Sequence, residues 1–456
     1  MTTAETTHHG KHWIEHWDPE DEGFWAATGK KIANRNLWFS ILTEHIGFSV
    51  WTLMSVLVLF MGPAYHLSAA DKFLLTSIAT LVGACVRIPY NFAVARFGGR
   101  NWTIISALLL LVPSIVAAIV MHPGTPLGVF LVVSILCGFG GGNFASSMTN
   151  INTFFPEREK GTALGLNAGG GNVGVAVIQL VGLLIIATTG TSAPRLILAI
   201  YIPLIVIAAA CASLFMNNIS SVRNDRKGMR EVMKDAHTWV MSFLYIGTFG
   251  SFIGYSFAFG LVLQNQFGRT PLQAAAVTFL GPLVGSLSRP VGGWLSDKVG
   301  GGRITFWNFV GMAVMTVLLI VASNVDSLAL FTTAFIVLFV LTGIGNGSTY
   351  KMIPAIFRAK AKAAIVAGAD EAAELLRARK LSGALIGLAG AFGAFGGLLI
   401  NLAFRQSFLA TKSGVGAFVG ILAFYGVCFV LTWVVYLRKS TAPVTERGLA
   451  LAGSQV

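Results

Sequence analysis

Charged residues are scarce in this chain, since only 11% of its 456 residues are Asp, Glu, Lys or Arg. A soluble globular protein carries about 25% charged residues. Here the composition is 55% hydrophobic. Apolar runs of roughly 20 residues, each long enough to cross a bilayer as a helix, recur along the chain. The lack of charge therefore excludes an ordinary soluble domain and indicates a membrane protein with many spans.

Acidic residues are the rarer sign of charge, with 19 Asp and Glu against 32 Lys and Arg and a net charge of +13. Such an excess of positive charge also occurs in nucleic-acid-binding proteins. Here, however, the basic residues are spread through the loops between the apolar runs, as the positive-inside rule describes. We therefore predict a lipid bilayer, and no nucleic acid, as the partner of these residues.

Cysteine is rare as well, and neither a metal nor a cofactor is expected. The four cysteines are isolated within apolar stretches without metal or redox spacing: Cys85, Cys137, Cys211 and Cys428. Four histidines in the polar N-terminal tail lack cysteine or carboxylate partners, so a solvated tail is favoured over a metal site: His8, His9, His12 and His16. The first 35 residues have no short apolar core, so no signal peptide is expected.

The apolar runs define twelve candidate spans, six on each side of a basic loop. Their predicted limits are 36–61, 71–97, 101–121, 127–154, 161–189, 194–216, 237–263, 271–298, 303–323, 327–357, 381–408 and 413–438. This pattern predicts an all-α membrane protein with two six-helix bundles. The expected parts are an N-terminal tail at 1–35, a first bundle at 36–216, a central loop at 217–236, a second bundle at 237–438 and a C-terminal tail at 439–456. A basic, polar connection is expected at 358–380.

The loops on the two sides of the predicted membrane differ in charge. Loops that follow even-numbered spans carry nearly all the loop arginines and lysines. The opposite loops carry only Lys72, Arg195, Arg269, Arg405 and Lys412. Because positive loops stay in the cytoplasm, both termini and the central loop are predicted on the cytoplasmic side of the cytoplasmic (inner) membrane.

An arginine stands inside an apolar run at matching places in the two halves. Arg87 precedes the basic, glycine-rich exit Arg96–Arg100, and Arg289 precedes a similar exit that ends at Arg303. An arginine at the centre of a membrane costs at least about 2.5 kcal/mol on insertion scales. Two such residues at matching places predict a central site that binds a small anion.

Span five combines a glycine repeat with two asparagines, Asn167 and Asn172. Glycines at every fourth residue let helix backbones approach closely, and the repeat comprises Gly161, Gly165 and Gly169. A dinucleotide fingerprint, G-x-G-x-x-G, also falls at 169–174, but no strand precedes it and both flanks are apolar helix. Packing explains most of these glycines, whereas the asparagines supply amide donors for an oxyanion.

The segment from Gly293 to Arg303, GWLSDKVGGGR, resembles the loop signature of the major facilitator superfamily, G-x-L-x-D-x-x-G-x-[RK]. The exit that ends at Arg100 is its degenerate partner without the aspartate. The resemblance implies twelve helices in two bundles that rock about a midplane site. Asp297, with Arg303 and Arg100, is then a candidate gating residue that pairs with a helix end or an arginine. A structural helix cap is the alternative.

Together the motifs resemble the nitrate/nitrite porter family over essentially the whole chain. The two nitrate-signature segments of that family match Gly161–Val173 and, more loosely, Gly387–Leu399. Shorter matches are Arg35–Trp38, Arg87–Tyr90, Phe97–Arg100, Asn143–Ser147 and Thr248–Gly254. The resemblance implies a transporter of nitrate, with nitrite as a second possible substrate.

The resemblance also implies roles for individual residues. Arg87 and Arg289 would clamp nitrate from the two halves, and Tyr245 and Asn172 would hydrogen-bond it. Three aromatic rings would sandwich the plane of the ion: Phe48, Phe144 and Phe249. Nitrate is flat and singly charged, so the paired donors of a guanidinium and aromatic walls suit it. The alternatives are structural pairing for the arginines and packing for the phenylalanines.

Glu44 is the acidic residue that lies well inside an apolar span, on one helix face with Phe48 and Trp51. A buried carboxyl resists ionisation and can carry a proton. His45 is a second candidate proton carrier, on another face. Lys351 in span ten is a candidate partner of Glu44, and the alternative is a charge pair that only locks two helices.

Energetics separates two transport mechanisms. An inside-negative potential opposes anion entry by about 2.3 kcal/mol per 100 mV. Exchange of nitrate for nitrite avoids this cost, whereas symport needs at least two protons per nitrate for the membrane potential to favour uptake. Glu44 departs from the exchanger pattern and resembles the first span of the family's nitrate–proton symporters. We therefore predict import by symport, with exchange as the alternative.

Other function classes fit less well. A membrane enzyme would need a polar catalytic cluster or a soluble domain, and a nitrate sensor would need a signalling domain longer than 440–456. A facilitator of another small anion or an organic acid stays an alternative, because pocket size decides it. By analogy with the fold, a functional monomer is expected.

Overall fold

The computed structural model describes residues 12–222 and 226–438. Within these residues, twelve helices are long and apolar enough to cross a membrane, and we number them α1 to α12. In chain order they are Glu22–Phe60, Ala69–Phe97, Gly99–Val120, Leu127–Phe154, Glu157–Ser192, Arg195–Phe215, Ala236–Phe267, Pro271–Val299, Gly301–Asn324, Leu328–Val366, Glu371–Thr411 and Val415–Leu437. The predicted all-α membrane fold with twelve spans is confirmed.

Local sequence explains where several helices begin and end. At the start of α2, Ser68 Oγ accepts a hydrogen bond from the backbone N–H of Asp71 at 3.1 Å, and the Asp71 carboxylate accepts one from the N–H of Ser68 at 2.9 Å. This reciprocal cap satisfies two backbone donors that the first turn leaves unpaired. A glycine directly follows α2 and another directly follows α8. These residues, Gly98 and Gly300, have φ angles of 88° and 97°, which favour glycine. These glycines let the chain turn at once into the next helix.

Helices continue beyond the apolar runs in several places. Helix α10 reaches Val366 and α11 begins at Glu371, so most of the expected 358–380 connection is helical. Asp370 caps α11 by accepting a hydrogen bond from the N–H of Ala373 at 2.7 Å. Polarity therefore marks the edge of the apolar span and not the end of the helix.

The N-terminal segment expected as a solvated tail is partly structured. Strand β1, Trp13–Ile14, pairs in parallel with strand β2, Asn218–Ile219. Trp25 is buried, packs against Phe155 and donates a hydrogen bond to the Glu159 carboxylate at 2.9 Å. Aromatic burial therefore fixes this segment against the start of α5.

Of the four histidines in the expected solvated tail, His8 and His9 lie outside the described residues. For the part of the chain that the structure describes, no group of three or more His, Cys, Asp or Glu side chains is placed to hold a metal ion. The central loop also contains a short helix, Arg226–Lys234.

The described residues divide into two compact units. The first unit contains 12–222 and also Pro271–Phe279, which packs against α5. Inside it, α1 packs against α5 and α4, and α2 packs against α4. The second unit contains 226–270 and 280–438, and there α7 packs against α11 while α8 packs against α10. Each of these pairings in the second unit repeats one in the first, six helices earlier.

Candidate functional site

Arg87 lies in the interior of the first unit, on α2, with only 1% of its surface exposed. Its Nε donates a hydrogen bond to the carbonyl of Gly141 at 3.1 Å. The guanidinium carbon lies 4.6 Å from the ring centre of Phe144 and 5.3 Å from that of Trp51, within the range of cation–π attraction. Aromatic faces and a backbone carbonyl therefore hold this cation inside the bundle.

Phe48 completes the aromatic wall around Arg87. Its ring meets Phe144 edge to face with 6.0 Å between the ring centres, and it meets Trp51 in the same way at 5.4 Å. The indole N–H of Trp51 donates to the carbonyl of Ala79 at 2.8 Å, which fixes the orientation of this ring. Of the phenylalanines predicted for the anion site, Phe144 thus contacts Arg87 and Phe48 packs against Phe144.

Asn172, on α5, is fully buried. Neither its amide nitrogen nor its oxygen has a hydrogen-bond partner among the described residues. Buried polar side chains normally satisfy their hydrogen bonds, and leaving one unmade costs about 1–3 kcal/mol. An amide in this state is available for an anion, and the binding role of Asn172 stays a prediction.

Glu44, on α1, is fully buried and belongs to a polar network. Its carboxylate accepts hydrogen bonds from the amide of Asn167, at 2.7 Å, and from the hydroxyl of Ser147. Asn167 also bonds to Ser147, and Ser147 bonds to Ser40 at 3.2 Å. Asn167 was expected to bind the substrate, but its amide donor is instead directed at Glu44.

Two further contacts shape the surroundings of Glu44. A methyl group on Gly171 of α5 would overlap the Glu44 carboxyl, so this glycine provides the space that the side chain occupies. The neighbouring His45 points to another face, as predicted, where its Nδ1 lies 3.2 Å from the carbonyl of Gly170. Glu44 stands one helical turn before Phe48, so the carboxyl network adjoins the aromatic wall.

Arg289 of α8 occupies the corresponding place in the second unit, with 5% of its surface exposed. Its Nη2 donates a hydrogen bond to the hydroxyl of Tyr245 at 3.4 Å. The guanidinium carbon lies 5.0 Å from the ring centre of Tyr350, and the two tyrosine rings are 4.7 Å apart. Sequence reasoning missed Tyr350, and its place next to Lys351 in a glycine-containing span is the signal that marks it.

A π-helical turn, Ile246–Gly250, directly follows Tyr245 and contains Phe249. The two rings are stacked, with 5.2 Å between their centres and 7° between their planes. Such turns often occur at functional sites, because the wider helix redirects side chains. A methyl group on Gly393 of α11 would overlap the ring of Tyr245, so this glycine lets α11 approach Tyr245 closely.

The close contacts of α5 occur at other glycines than those of the repeat predicted for span five. No described atom lies within 4 Å of the position that a Cβ would take on Gly161, Gly165 or Gly169. Close contact occurs instead at Gly171 and at Gly174, where a methyl group would overlap the backbone of His45. The close-packing role predicted for Gly161, Gly165 and Gly169 is therefore wrong, because α1 meets the neighbouring face of α5.

Lys351 corrects another expectation. Its ammonium lies 2.9 Å from each carboxylate oxygen of Asp297, and both side chains are exposed, by 43% and 59%. The predicted pairing of Lys351 with Glu44 is therefore wrong, and Asp297 pairs with a lysine on α10 instead of a helix end or an arginine. The exposed Arg303 follows at the start of α9, and Arg100 donates from Nε to the carbonyl of Ser213 at 3.1 Å.

The sequence also matches known proteins. The family model of the Major Facilitator Superfamily matches residues 37–373. The nitrate/nitrite transporter NarU of Salmonella typhimurium is 39% identical over 459 residues, with 96% of this chain and 99% of the relative covered. NarU of Escherichia coli is 40% identical, with 93% and 96% covered. A probable nitrate/nitrite antiporter, NarK2 of Thermus thermophilus, is 32% identical, with 94% and 97% covered.

Solved structures with a similar fold include a bacterial homologue of the human lysosomal transporter Spinster in an inward-facing, unoccupied conformation. Its TM-score is 0.61 and its sequence identity 15%, with 89% of this chain and 97% of that chain covered. At this identity the similarity concerns the fold alone.

Proposed function

The chain belongs to the nitrate/nitrite transporter family of the major facilitator superfamily, and from this premise we propose that it imports nitrate across the cytoplasmic membrane together with protons. The observation that carries the proposal is a buried arginine in each unit, Arg87 and Arg289, each held against aromatic rings. Arginines inside a membrane protein are costly and mark ion pathways. We propose no enzymatic activity for this chain.

The side chains around each arginine suit a flat, singly charged oxyanion. A guanidinium offers paired, coplanar N–H donors to two oxygens of one anion. Tyr245 adds a hydroxyl beside Arg289, and Asn172 adds a buried amide in the first unit. Phe48, Phe144 and Phe249 supply flat apolar surfaces. We assign the substrate contacts to these residues, with nitrite as a second, smaller substrate.

Glu44 is the proposed proton carrier. It is buried, adjoins the aromatic wall and accepts hydrogen bonds from two neutral donors, Asn167 and Ser147. Because both donors are neutral, no positive charge among these two partners holds the carboxyl in its ionised form. His45, bonded to a backbone carbonyl, is the second candidate. Two protons per nitrate make the inward step carry net positive charge, which the membrane potential then favours.

Exchange of nitrate for nitrite is the second candidate function. The observation that favours it is the match to the probable nitrate/nitrite antiporter NarK2 of Thermus thermophilus along 94% of this chain. Exchange of two anions of equal charge is not opposed by the membrane potential. In that case Glu44 would be structural, with Asn167 and Ser147 as permanent partners.

The topology and the gate complete the proposal. The charge pattern of the loops supports a cytoplasmic location for both termini. The pair Asp297–Lys351 is the proposed gating contact. Two further gating candidates are Arg303, which ends the same basic exit as Asp297, and Arg100, which ends the matching exit in the first half. Exposed ion pairs are worth about 0–1 kcal/mol, so such a contact can break and form again in each transport cycle.

Purified protein in liposomes tests the proposal directly. External nitrate uptake is followed with an imposed inward proton gradient and empty vesicles, and again with internal nitrite and no gradient. Uptake that requires the gradient and is lost in Glu44→Gln supports symport. Glu231→Gln, which alters an exposed glutamate of the short helix Arg226–Lys234, is the matched control and should transport normally.

Each of the other outcomes corrects a defined part of the proposal. Uptake only with internal nitrite means exchange. A Glu44→Gln protein with full gradient-driven uptake would remove the proton role of Glu44. No uptake under either condition, with folded protein, would reject nitrate as the substrate.

A further inference from the structure

Asn346 of α10 is a buried amide that the site described above does not use. The residue is fully buried, and neither its Oδ1 nor its Nδ2 has a hydrogen-bond partner among the residues that the structure describes. Native proteins seldom bury an amide in this way without a functional reason. The question is therefore what this side chain faces.

The glycines on either side of Asn346 show which helices flank it. A methyl group on Gly347 would overlap the backbone carbonyl of Arg289, on α8. A methyl group on Gly345 would overlap the side chains of Asn308, on α9, and of Thr248, in the π-helical turn of α7. Successive residues are about 100° apart around a helix, so Asn346 leaves α10 between the directions of α8 and α7.

Tyr350 identifies the same side of α10. It follows Asn346 by four residues and therefore lies on the same helix face, one turn further along. The Tyr350 ring centre is 5.0 Å from the guanidinium carbon of Arg289 and 4.7 Å from the ring centre of Tyr245. The face of α10 that carries the Asn346 amide is thus the face that contacts the anion-binding arginine.

The first unit contains a repeat-related amide, Asn143, whose surroundings differ from those of Asn346. Asn143 on α4 also follows a glycine, is buried and has no partner among the described residues. Its amide, however, packs over Gly47, and the next residue is Phe144, whose ring covers Arg87. In the second unit a glycine, Gly347, stands in place of that phenylalanine.

We infer that the Asn346 amide donates a hydrogen bond to the transported oxyanion beside Arg289 and thereby selects nitrate over nitrite. The inference rests on the proposed function. A guanidinium engages two oxygens of an anion side by side. Nitrate has a third oxygen that needs its own donor, whereas nitrite has only two oxygens. The N–H of Asn346 supplies that third donor.

The test compares the dissociation constants of nitrate and nitrite for purified full-length protein in lipid nanodiscs, measured by calorimetry. Asn346→Leu removes the donor at similar size and should raise the constant for nitrate about tenfold, while the constant for nitrite changes less than about twofold. Asn346→Ser keeps a shorter donor and should show a smaller shift in the same direction. This second variant keeps the test valid if Asn346→Leu folds poorly.

Asn401→Leu is the matched control. Asn401 is equally buried in the same unit, but its amide already donates to the carbonyls of Gly254 and Gly397, at 3.2 and 2.8 Å. Its loss should leave the ratio of the two constants unchanged even if the protein is less stable. Equal losses for nitrate and nitrite in the Asn346 variants, or no loss, would overturn the inference. A wild-type protein that binds neither anion would instead overturn the proposed function.

Discussion

At the scale of single residues, the chemistry of the two units is carried by buried side chains whose charge or polarity has no place in an ordinary apolar core. Arg87 and Arg289 contact aromatic rings and neutral oxygen atoms. Glu44 is held by an amide and a hydroxyl. An anion and a proton are the two ligands that such side chains bind, which is why the proposed function couples them.

Replacing either arginine by lysine tests whether geometry or charge alone binds the anion. Lysine keeps the positive charge but loses the planar, paired donors and the stacking against Phe144 or Tyr350. We expect Arg87→Lys and Arg289→Lys each to weaken nitrate binding at least about tenfold, the loss of one charged hydrogen bond of about 1.5–3 kcal/mol. Nitrate titration of the purified variants measures this. Arg195→Lys, which alters the first residue of α6, is the control, and binding unchanged in all three would contradict the assigned role.

At the scale of helices, the approach of α1 to α5 places Glu44 against Asn167. This approach depends on glycines of one α5 face, Gly171 and Gly174, which meet the side chain of Glu44 and the backbone of His45. The π-helical turn of α7 has a similar function in the second unit, because it sets Tyr245 and Phe249 in a stack.

Alanine at these glycines separates close contacts from open positions. Gly174→Ala inserts a methyl group against a backbone carbonyl that cannot move freely, so we expect a loss of about 1–3 kcal/mol of stability. Gly165→Ala, nine residues earlier in the same helix, adds a methyl group where no described atom lies within 4 Å and should be tolerated. Thermal unfolding in detergent measures both variants. Equal unfolding temperatures would show that α1 and α5 do not pack as described.

At the scale of the whole molecule, the transport cycle needs contacts that open and close. The pair Asp297–Lys351 is suited to this because both side chains are exposed and neither is strongly held. We expect Asp297→Asn to lower the turnover rate while the nitrate dissociation constant and the unfolding temperature change little. The charge-swapped protein, Asp297→Lys with Lys351→Asp, should recover part of the rate. Liposome uptake rates report the effect, and an unimpaired Asp297→Asn protein would exclude gating by this pair.

The membrane potential distinguishes the two mechanisms for the molecule as a whole. Symport of two protons with one nitrate moves one net positive charge inward, so 100 mV negative inside favours uptake by about 2.3 kcal/mol. We therefore expect an imposed potassium-diffusion potential that is negative inside to increase nitrate accumulation in liposomes. One-for-one exchange for nitrite moves no net charge and would not respond.

Much of the architecture could be read from the sequence alone. The twelve spans and the matching places of Arg87 and Arg289 follow from hydropathy and from the order of residues along one chain. A helix in lipid must satisfy its own backbone hydrogen bonds, so an apolar run of sufficient length determines a span without any information about its neighbours. The same reasoning fails at helix ends, because polar residues continue α10 and α11 as readily as they begin a loop.

The partners of the polar side chains were decided only by the tertiary structure. Asn167 bonds to Glu44, Lys351 pairs with Asp297, and Tyr350 covers Arg289. Each of these contacts joins residues on different helices that are 54 or more positions apart in the chain. Such contacts depend on the rotation and register of one helix against another, and a shift of one residue turns a side chain by about 100°. Sequence periodicity fixes which residues share a face of one helix, but only packing determines what that face meets.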